Sequence, residues 1–164
     1  MIRKATLNDL ESILKIIKEA KVRMKESGLT QWQNNYPNKE IITSDIKGGH
    51  AFIYEDKEVL ATMSVFNYDP VYEHIDGAWL NHNNYMVVHR IAVGNKGLGL
   101  KITDKFYKFI FDYFKIKDIR IDTHKKNILM VKSLERNNFK LVGIVHVLTD
   151  PIDSERLAYH LSLK

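Results

Sequence analysis

The segment VVHRIAVGNKGLGLKITDKFYKFI, residues 87–110, constrains the fold more than any other part of the chain. An apolar, β-rich run leads into Gly97 and Gly99, and apolar residues at helical spacing follow. A glycine at a strand-to-helix junction permits a tight turn, and it also lets a ligand reach the backbone because no Cβ atom intervenes. The segment therefore predicts a β–turn–α unit that serves either as a plain turn or as an anion site.

Electrostatics at the start of the predicted helix favour the anion site. The pattern predicts a helix over Leu98 to Phe114, and the first amide groups of a helix have no internal hydrogen-bond partner. These groups and the helix dipole attract anions, and Lys96 and Lys101 add positive charge at the same end. The spacing excludes the phosphate-binding loop of nucleotide hydrolases and the dinucleotide fingerprint, since neither glycine pattern is present. We therefore expect a pyrophosphate cradle over Lys96 to Lys101.

Strands and helices alternate along the rest of the chain. Thr6 and Asp9 indicate the start of a first helix, and Gly28 indicates its end. The predicted strands are Ile2–Ala5, Ala51–Tyr54, Val59–Phe66, Tyr85–Val93, Asp118–Thr123, Phe139–Leu148 and Arg156–Leu163. The further predicted helices are Lys39–Lys47 and Ile128–Asn137, and Asn67–Asn83 is predicted to be irregular. The order β-α-α-β-β-β-α-β-α-β-β predicts an α/β layered domain with a mixed sheet.

Composition limits the class of protein. The chain has 164 residues without a linker-like stretch, which predicts a single domain over residues 1–164. There is no cysteine, so disulfides and thiol nucleophiles are excluded. No apolar run is long enough to span a bilayer and no signal peptide is recognisable, so we expect a cytoplasmic protein without membrane contact. The net charge of +5 suits small anionic ligands.

Several motifs together resemble one family. HRIAVGNKGLGLKI is similar to the cofactor motif of the GNAT N-acetyltransferase superfamily, Gln/Arg-x-x-Gly-x-Gly/Ala at a strand–helix junction. MIRKATLNDLESILKIIKEA resembles the superfamily's opening strand and helix, and IDTHKKNILMVKSLERNNFKLVGI resembles its next strand and short helix. QWQNNYP and HRIAV resemble a branch of small acetyltransferases within it. The similarity covers nearly the whole chain in the right order.

The resemblance implies a fold, a cofactor and a reaction. It implies a GNAT-like sheet in which two central parallel strands splay apart and acetyl-CoA places its pantetheine arm in the gap. It implies transfer of the acetyl group to a primary amine, with a small-molecule or peptide acceptor. The cofactor-binding positions it implies are Ile91, Ala92, Val93, Lys96, Gly97, Leu98, Gly99, Leu100, Lys101 and Asn127.

Two positions depart from the family's pattern. The first position of the cofactor motif, usually Gln or Arg, is Gly94, and the stretch between Val93 and the cradle is short. The short helix often carries a Tyr that protonates the leaving thiolate, and counting from Asn127 this position is Leu134. Leucine cannot donate a proton. An alternative therefore stays open, in which the chain binds acetyl-CoA as a sensor or regulator with little or no turnover.

Candidate catalytic groups must remove a proton from an ammonium. His89 lies on the cofactor strand and His124 ends the partnering strand, and an ordinary histidine titrates near neutral pH. Each histidine also has an interpretation without a catalytic role. His89 would be a core histidine bonded to the backbone, and His124 would be a surface histidine at the end of a loop. Glu73 and His74 lie in the irregular stretch and are further candidates.

Aromatic residues supply candidate substrate contacts. We expect Trp32, Tyr36 and Glu73 to line the acceptor site, although packing of loops onto the core explains the two aromatic side chains equally well. No histidine pair has the spacing of metal ligands, so no metal is expected. The basic residues are mixed with acidic ones, so no specific nucleic-acid partner is expected, and both a monomer and a homodimer remain open.

Overall fold

The computed structural model describes every residue from Met1 to Lys164. Its strands are β1 (Ile2–Lys4), β2 (Ala51–Asp56), β3 (Glu58–Phe66), β4 (Asp76–Gly77), β5 (Met86–Val93), β6 (Asp118–Thr123), β7 (Lys140–His146) and β8 (Glu155–Ser162). Its α-helices are α1 (Leu10–Glu26), α2 (Lys39–Lys47), α3 (Ile102–Phe114) and α4 (Ile128–Arg136). Short 3-10 helices cover Leu7–Asp9, Pro70–His74 and Asn95–Gly97. The predicted order of elements is confirmed, with one further strand, β4.

The strands form one mixed sheet in the order β1-β2-β3-β5-β6-β8-β7-β4. The pair β5–β6 is parallel, with Met86 opposite Ile119 and Val87 opposite Arg120. The flanking pairs β1–β2, β2–β3, β6–β8, β7–β8 and β4–β7 are antiparallel. The register of β5 with β6 covers the start of each strand, although β5 runs on to Val93 and β6 to Thr123. The predicted α/β class with a mixed, open sheet is confirmed.

Packing divides the chain into two compact units. The first consists of Met1–Val65 and Val88–Phe106, and the second of Phe66–Val87 and Tyr107–Lys164. Strand β5 and helix α3 each contribute residues to both units. That residues 1–164 make up one N-acetyltransferase domain is not tested by this division and stays a prediction.

The first unit packs α1 and α2 on β2. The apolar stripe of α1 is buried together with side chains of α2 and β2: Ile13, Ile16, Ile17, Ala20, Ile42, Ile46, Ala51 and Ile53. A capping box starts the 3-10 helix that leads into α1: Thr6 is its N-cap, and the Thr6 amide donates to Asp9 Oδ2 at 2.8 Å. The end of α1 is fixed by Gly28, whose φ of 78° lies in the left-handed region that only glycine adopts freely.

The second unit has its own core around Tyr72, Val87, Val145 and Ala158. Elsewhere in this unit the buried side chains of Tyr107 and Phe139 meet edge to face, with ring centroids 5.0 Å apart. The stretch predicted to be irregular is more ordered than expected. Its Asp69 side chain accepts a hydrogen bond from the Val71 amide at 2.9 Å and starts the 3-10 helix, and β4 then pairs with β7.

Most boundary differences are short, but one bears on the site. Strand β1 ends at Lys4, and the β2–β3 hairpin turns tightly at Lys57, which has a φ of 62°. The predicted start of α3 at Leu98 is wrong, because the helix begins at Ile102. Gly97 and Gly99 therefore precede the helix. No helix of the structure is both long enough and apolar enough to span a lipid bilayer.

Candidate active site

A type II turn connects β5 to α3. The Leu100 amide donates to the Gly97 carbonyl at 3.3 Å, Leu98 has φ −60° and ψ 138°, and Gly99 has a φ of 80°. This pattern requires a residue that tolerates positive φ at the third position, and glycine does so without strain. Lys101 also has a positive φ, 51°, and its carbonyl accepts from the Lys105 amide in the first turn of α3. We call residues 97–101 the turn loop.

The two glycines of the turn loop have different physical roles. A Cβ atom at Gly97 would lie 2.9 Å from the Leu60 carbonyl oxygen and 2.9 Å from Val93 Cγ1. No atom lies within 4 Å of the position that a Cβ at Gly99 would take. Close packing therefore requires a small residue at Gly97, whereas Gly99 presents an open approach to the backbone. Contact of either glycine with a phosphate stays a prediction.

Helix α1 holds the start of this connection. The Glu19 carboxylate accepts from the Asn95 amide at 2.7 Å, and Arg23 donates to Asn95 Oδ1 at 2.5 Å and to the Val93 carbonyl. The Gly94 amide donates to Leu60 O at 2.8 Å. A Cβ at Gly94 would lie 3.1 Å from Ile16 Cγ1 and 3.2 Å from Glu19 Oε2. The close packing explains why this chain has glycine where the family motif has Gln or Arg.

The two lysines of the predicted cradle differ in their partners. Lys96 Nζ lies 2.6 Å from Glu58 Oε1, and both side chains are largely exposed. Lys101 is exposed beside Leu98 and Leu100, which are 52% and 47% exposed. Because an exposed ion pair is weak, Lys96 is still able to exchange Glu58 for an anionic ligand. Positive charge therefore remains at the turn loop.

Strand β5 contains Arg90 at a φ of 52°. A non-glycine residue at positive φ within a strand is unusual and indicates a local bulge. The regular alternation of side chains along a strand is therefore disturbed at this residue. Of the predicted pantetheine contacts, Ala92 is buried, Ile91 and Val93 are half-buried, and the Val93 carbonyl already accepts from Arg23.

The Arg90 side chain, at the bulge, forms a buried ion pair with Asp45. Arg90 donates to both oxygens of Asp45, from Nε at 2.6 Å and from Nη2 at 2.8 Å, and Nη1 donates to the Tyr36 hydroxyl at 2.7 Å. The Ser64 hydroxyl donates to Asp45 Oδ2 at 2.6 Å. Burial alone would lower the pKa of Arg90, but the hydrogen bonds to Asp45 outweigh burial and raise it. Sequence analysis missed this cluster, although two polar residues inside the apolar run VVHRIAV were a signal for it.

The two candidate histidines have different surroundings. His89 is half-buried on β5. His124 is 2% exposed, so the interpretation as a surface histidine is wrong. Its Nε2 lies 2.7 Å from Asp153 Oδ2, and its Nδ1 accepts from the Lys126 amide at 3.1 Å. A neutral His124 therefore carries its proton on Nε2, and both ring nitrogens have partners.

Asn127 and Leu134 lie on α4. Asn127 is the N-cap of this helix, and its side-chain oxygen accepts from the Met130 amide at 3.3 Å. Leu134 is fully buried. Asn127 therefore has the structural role of a helix cap, while its predicted contact with the cofactor stays a prediction. The burial of Leu134 excludes a proton donor at the position where the family often has Tyr.

The predicted acceptor residues lie in two segments. Trp32, with a φ of 65°, is half-buried and packs on the core of the first unit, and Tyr36 binds Arg90. Glu73 is exposed, and its hydrogen bond raises the pKa of the Tyr68 hydroxyl. Trp32 and Tyr36 thus belong to the first unit and Glu73 to the second, and contact of all three with one acceptor stays a prediction.

The second unit contains two polar clusters that sequence analysis also missed. The Arg120 guanidinium lies over the rings of Trp79 and Tyr85, 4.4 Å and 3.9 Å from their centroids. His160 is fully buried and its Nε2 lies 2.8 Å from Asp118 Oδ1. No local motif joins these residues: Trp79 and Tyr85 precede β5 while Arg120 lies on β6, and pairing of β6 with β8 brings His160 close to Asp118.

A cavity of about 340 Å³ lies between α1 and residues 35–40. Lys18, Lys21 and Lys39 line it above an apolar floor of Leu14, Ile17 and Pro37. Lys21 donates to the Pro37 carbonyl at 2.7 Å, and burial lowers its pKa. None of the predicted site residues lines this cavity. No group of three His, Asp or Glu side chains is placed to hold a metal ion.

Comparison with known proteins decides the family. No protein-family model matches the chain, and no curated protein matches it in sequence. A solved structure of a GNAT-family acetyltransferase from Streptococcus agalactiae is 33% identical, with a TM-score of 0.90 over 100% of this chain and 95% of that one. The chain belongs to the GNAT family of acetyltransferases. Membership assigns acyl transfer as the general reaction of this GNAT protein.

More distant GNAT structures share the fold. An acetyltransferase of the GNAT family from Listeria monocytogenes is 19% identical, with a TM-score of 0.72 over 99% of this chain and 94% of that one. A ribosomal-protein-alanine N-acetyltransferase from Brucella melitensis is 14% identical, with a TM-score of 0.70 over 99% of each chain. These two comparisons support the fold of this GNAT protein and leave its acceptor open.

Proposed function

We propose that this GNAT protein transfers an acetyl group from acetyl-CoA to a primary amine on a small molecule or a peptide. The observation that carries the proposal is the turn loop between β5 and α3. Its open approach at Gly99 lies immediately before the first turn of a long helix, where amide groups favour an anion. The same place in the family's motif binds the pyrophosphate of the cofactor.

The residues of the turn loop fit a pyrophosphate. Gly99 leaves space at the backbone, and Lys96 and Lys101 provide two exposed ammonium groups. Glu19 and Arg23 bond to Asn95, so the backbone that leads into the turn loop is held in place before a ligand binds. A preorganised site loses less entropy when the ligand binds. Gly97 supports the turn through packing and does not contact the phosphates in this proposal.

The chemistry requires little from side chains. Acetyl-CoA supplies an activated acyl group as a thioester. The protein must remove a proton from the acceptor ammonium and orient the neutral amine toward the carbonyl carbon. We assign this proton to His89, because it lies half-buried on β5, the strand that the resemblance assigns to the cofactor. The amine nitrogen then forms the new amide bond while the bond from carbon to sulfur breaks, and the thiolate leaves.

The leaving thiolate must gain a proton, and Leu134, at the position where the family often has an acidic Tyr, does not supply it. Leu134 is apolar and fully buried, so we assign protonation of the thiolate to solvent. The proton that leaves the amine balances this step. Trp32 and Tyr36 on one segment and Glu73 on another are the proposed acceptor contacts, and the Glu73 carboxylate suits a cationic amine.

Leu134 also favours a second function. A GNAT protein that binds acetyl-CoA without an acid for the leaving group would serve as a sensor of the cofactor. In that case acetyl-CoA binding persists and no acceptor accelerates thiol release. The two functions share the cofactor site and differ only in turnover.

Two measurements test the proposal. Isothermal titration with acetyl-CoA should show binding of one molecule per chain, and desulfo-CoA lacking the thiol should bind similarly because the pyrophosphate is retained. Thiol release should then be measured with a panel of polyamines, aminoglycosides, amino acids and peptides. Acceleration by one class supports the transferase. Binding without acceleration supports the sensor, and absence of binding overturns both.

A further inference from the structure

We propose that Asp45, Arg90 and Tyr36 form a positioning unit that fixes the bulge of β5 and ties residues 29–38 to that strand. We call these three side chains the bulge clamp. The inference rests on the proposed function in one respect, since β5 is the strand assigned to the cofactor and residues 29–38 carry the assigned acceptor contacts Trp32 and Tyr36. The clamp would then hold the acceptor segment, residues 29–38, at a fixed position relative to the cofactor strand β5.

The geometry of Arg90 is the first support. Its guanidinium makes two parallel hydrogen bonds to Asp45, at 2.6 and 2.8 Å, and a third to Tyr36 at 2.7 Å. Bidentate arginine–carboxylate pairs have a fixed mutual orientation, which a single-point contact lacks. The Arg90 side chain therefore transmits the position of α2 to the backbone of β5.

The backbone at Arg90 is the second support. Its φ of 52° is unfavourable for a residue with a long side chain, so the surrounding contacts must hold it. Asp45 is 5% exposed and also accepts from Ser64 on β3. The anchor of the clamp is thus attached to a strand of the sheet as well as to a helix. A rigid anchor is what a strained backbone conformation requires.

The third support is the place of Tyr36. Its hydroxyl accepts from Arg90, and the Arg90 guanidinium lies 6.0 Å from the centre of its ring. Trp32 and Asn35 in the same segment have positive φ. Next to Tyr36, Lys21 on α1 donates to the Pro37 carbonyl at 2.7 Å. Tyr36 therefore attaches residues 29–38 to β5 through Arg90, while Pro37 is bonded to α1.

The charges of the clamp are internally balanced. The Arg90 guanidinium is paired with the Asp45 carboxylate, and the ion pair is largely buried, with side-chain exposures of 11% for Arg90 and 6% for Asp45. The guanidinium is therefore not a docking point for an anionic substrate. Instead, its third hydrogen bond fixes the position of the Tyr36 hydroxyl, as expected of a positioning residue.

Hydrogen exchange of the protein without ligand tests the clamp directly. In Tyr36→Phe, exchange should become faster in residues 29–38 and stay unchanged in residues 88–93, because the Asp45–Arg90 pair remains. In Asp45→Asn, exchange should become faster in both segments. Asp9→Asn is the matched control, since Asp9 is also buried and also bidentate with an arginine, Arg3, at 2.9 and 3.0 Å. It should leave both segments unchanged.

Kinetics on an acceptor found by the amine panel provide the second readout. Tyr36→Phe should raise the acceptor KM by about tenfold, the order of one hydrogen bond to a charged group, and leave the acetyl-CoA Kd unchanged. Asp45→Asn should lower kcat/KM by about 10- to 100-fold, as expected for a small displacement of reacting groups.

The outcomes separate the clamp from the proposed function. If the wild type does not bind acetyl-CoA, the proposed function fails while the exchange data still decide whether the clamp exists. Wild-type exchange of residues 29–38 in Tyr36→Phe overturns the clamp. Faster exchange throughout the first unit in Asp45→Asn, together with wild-type exchange in Tyr36→Phe, assigns Asp45 to stability alone and also overturns it.

Discussion

The carbonyl oxygen of Leu60 lies 2.9 Å from the position that a Cβ atom would occupy at Gly97. Any side chain at residue 97 must therefore displace the backbone of β3 or move the turn loop away from it. A substitution at Gly97 would lower stability as well as ligand affinity, so it does not isolate the cradle. Gly99, with open space at its Cβ position, is the residue that does.

We expect Gly99→Asn to weaken acetyl-CoA binding by about tenfold or more while the protein stays folded. Asparagine tolerates the positive φ of this position, so the turn is retained, but its side chain occupies the approach to the backbone. Gly28→Asn is the matched control, because Gly28 has nearly the same φ, 78°, and equally open space at the end of α1. Titration calorimetry and circular dichroism measure the two effects. Equal affinity of the Gly99→Asn variant and wild type removes the turn loop from the cofactor site.

Asn127→Ala should reduce turnover more than acetyl-CoA affinity, if Asn127 orients the cofactor as the family's motif implies. The lost cap should also cost about 1 kcal/mol of stability. Asn38→Ala is the control for the cap alone, because Asn38 caps α2 through the same type of bond, from the Ile41 amide at 3.0 Å. Rates and unfolding free energies should be measured for both. An equal fractional loss of turnover in the two variants assigns Asn127 to capping only.

His89→Gln should lower kcat/KM by about 100-fold and remove the acidic limb of its pH profile. The reason is that an amine acceptor is mostly protonated at neutral pH and needs a base. Acetyl-CoA affinity should change little. His124→Gln should instead lower the melting temperature, because it breaks the bond to Asp153, and retain the acidic limb. A folded His89→Gln variant with the wild-type limb transfers the role to Glu73 or to water.

Stability should fall as the pH is lowered through the range of a normal histidine, because of His160. Burial, chiefly, lowers the pKa of His160 below its ordinary value of 6.5. Its Nδ1 accepts from the Leu80 amide at 3.1 Å, which also favours the neutral ring. Below pH 6.5 this histidine is protonated in the unfolded chain but stays neutral in the folded protein. The free energy of unfolding therefore decreases by up to about 1.4 kcal/mol for each unit by which the pH is lowered.

Urea unfolding at pH 7, 6 and 5 measures this slope. His160→Gln should be less stable at pH 7 and should show a shallower decline toward pH 5. His82→Gln, which removes an exposed histidine, is the control for the loss of one such residue and should follow the wild-type curve. An unchanged slope in His160→Gln assigns the acid sensitivity to other groups, among them Asp118, whose pKa is lowered by its hydrogen bonds in spite of burial.

Local sequence predicted the elements well because their causes are local. The stripe of apolar residues in α1, the capping residue Thr6 and the break at Gly28 act within a few residues of the chain. The order of strands and helices followed from the same patterns, and the order together with the motifs identified the family. The start of α3 was misplaced by four residues because Leu98 and Leu100 fit a helical pattern, whereas Gly99 places them in a turn.

Tertiary structure decided what each polar residue of the site does. Arg90 and Asp45 are 45 positions apart, and His160 and Asp118 are 42 apart, so no local pattern joins them. The sequence could nominate Gly97 and Gly99 as a pair, but only the position of Leu60 distinguished the packed glycine from the open one. It could nominate His124 as a base, but only the tertiary structure showed that this ring is buried and bonded to Asp153 and Lys126. The physical reason is that secondary structure depends on neighbours along the chain, while the availability of a proton, a charge or a space depends on neighbours in three dimensions.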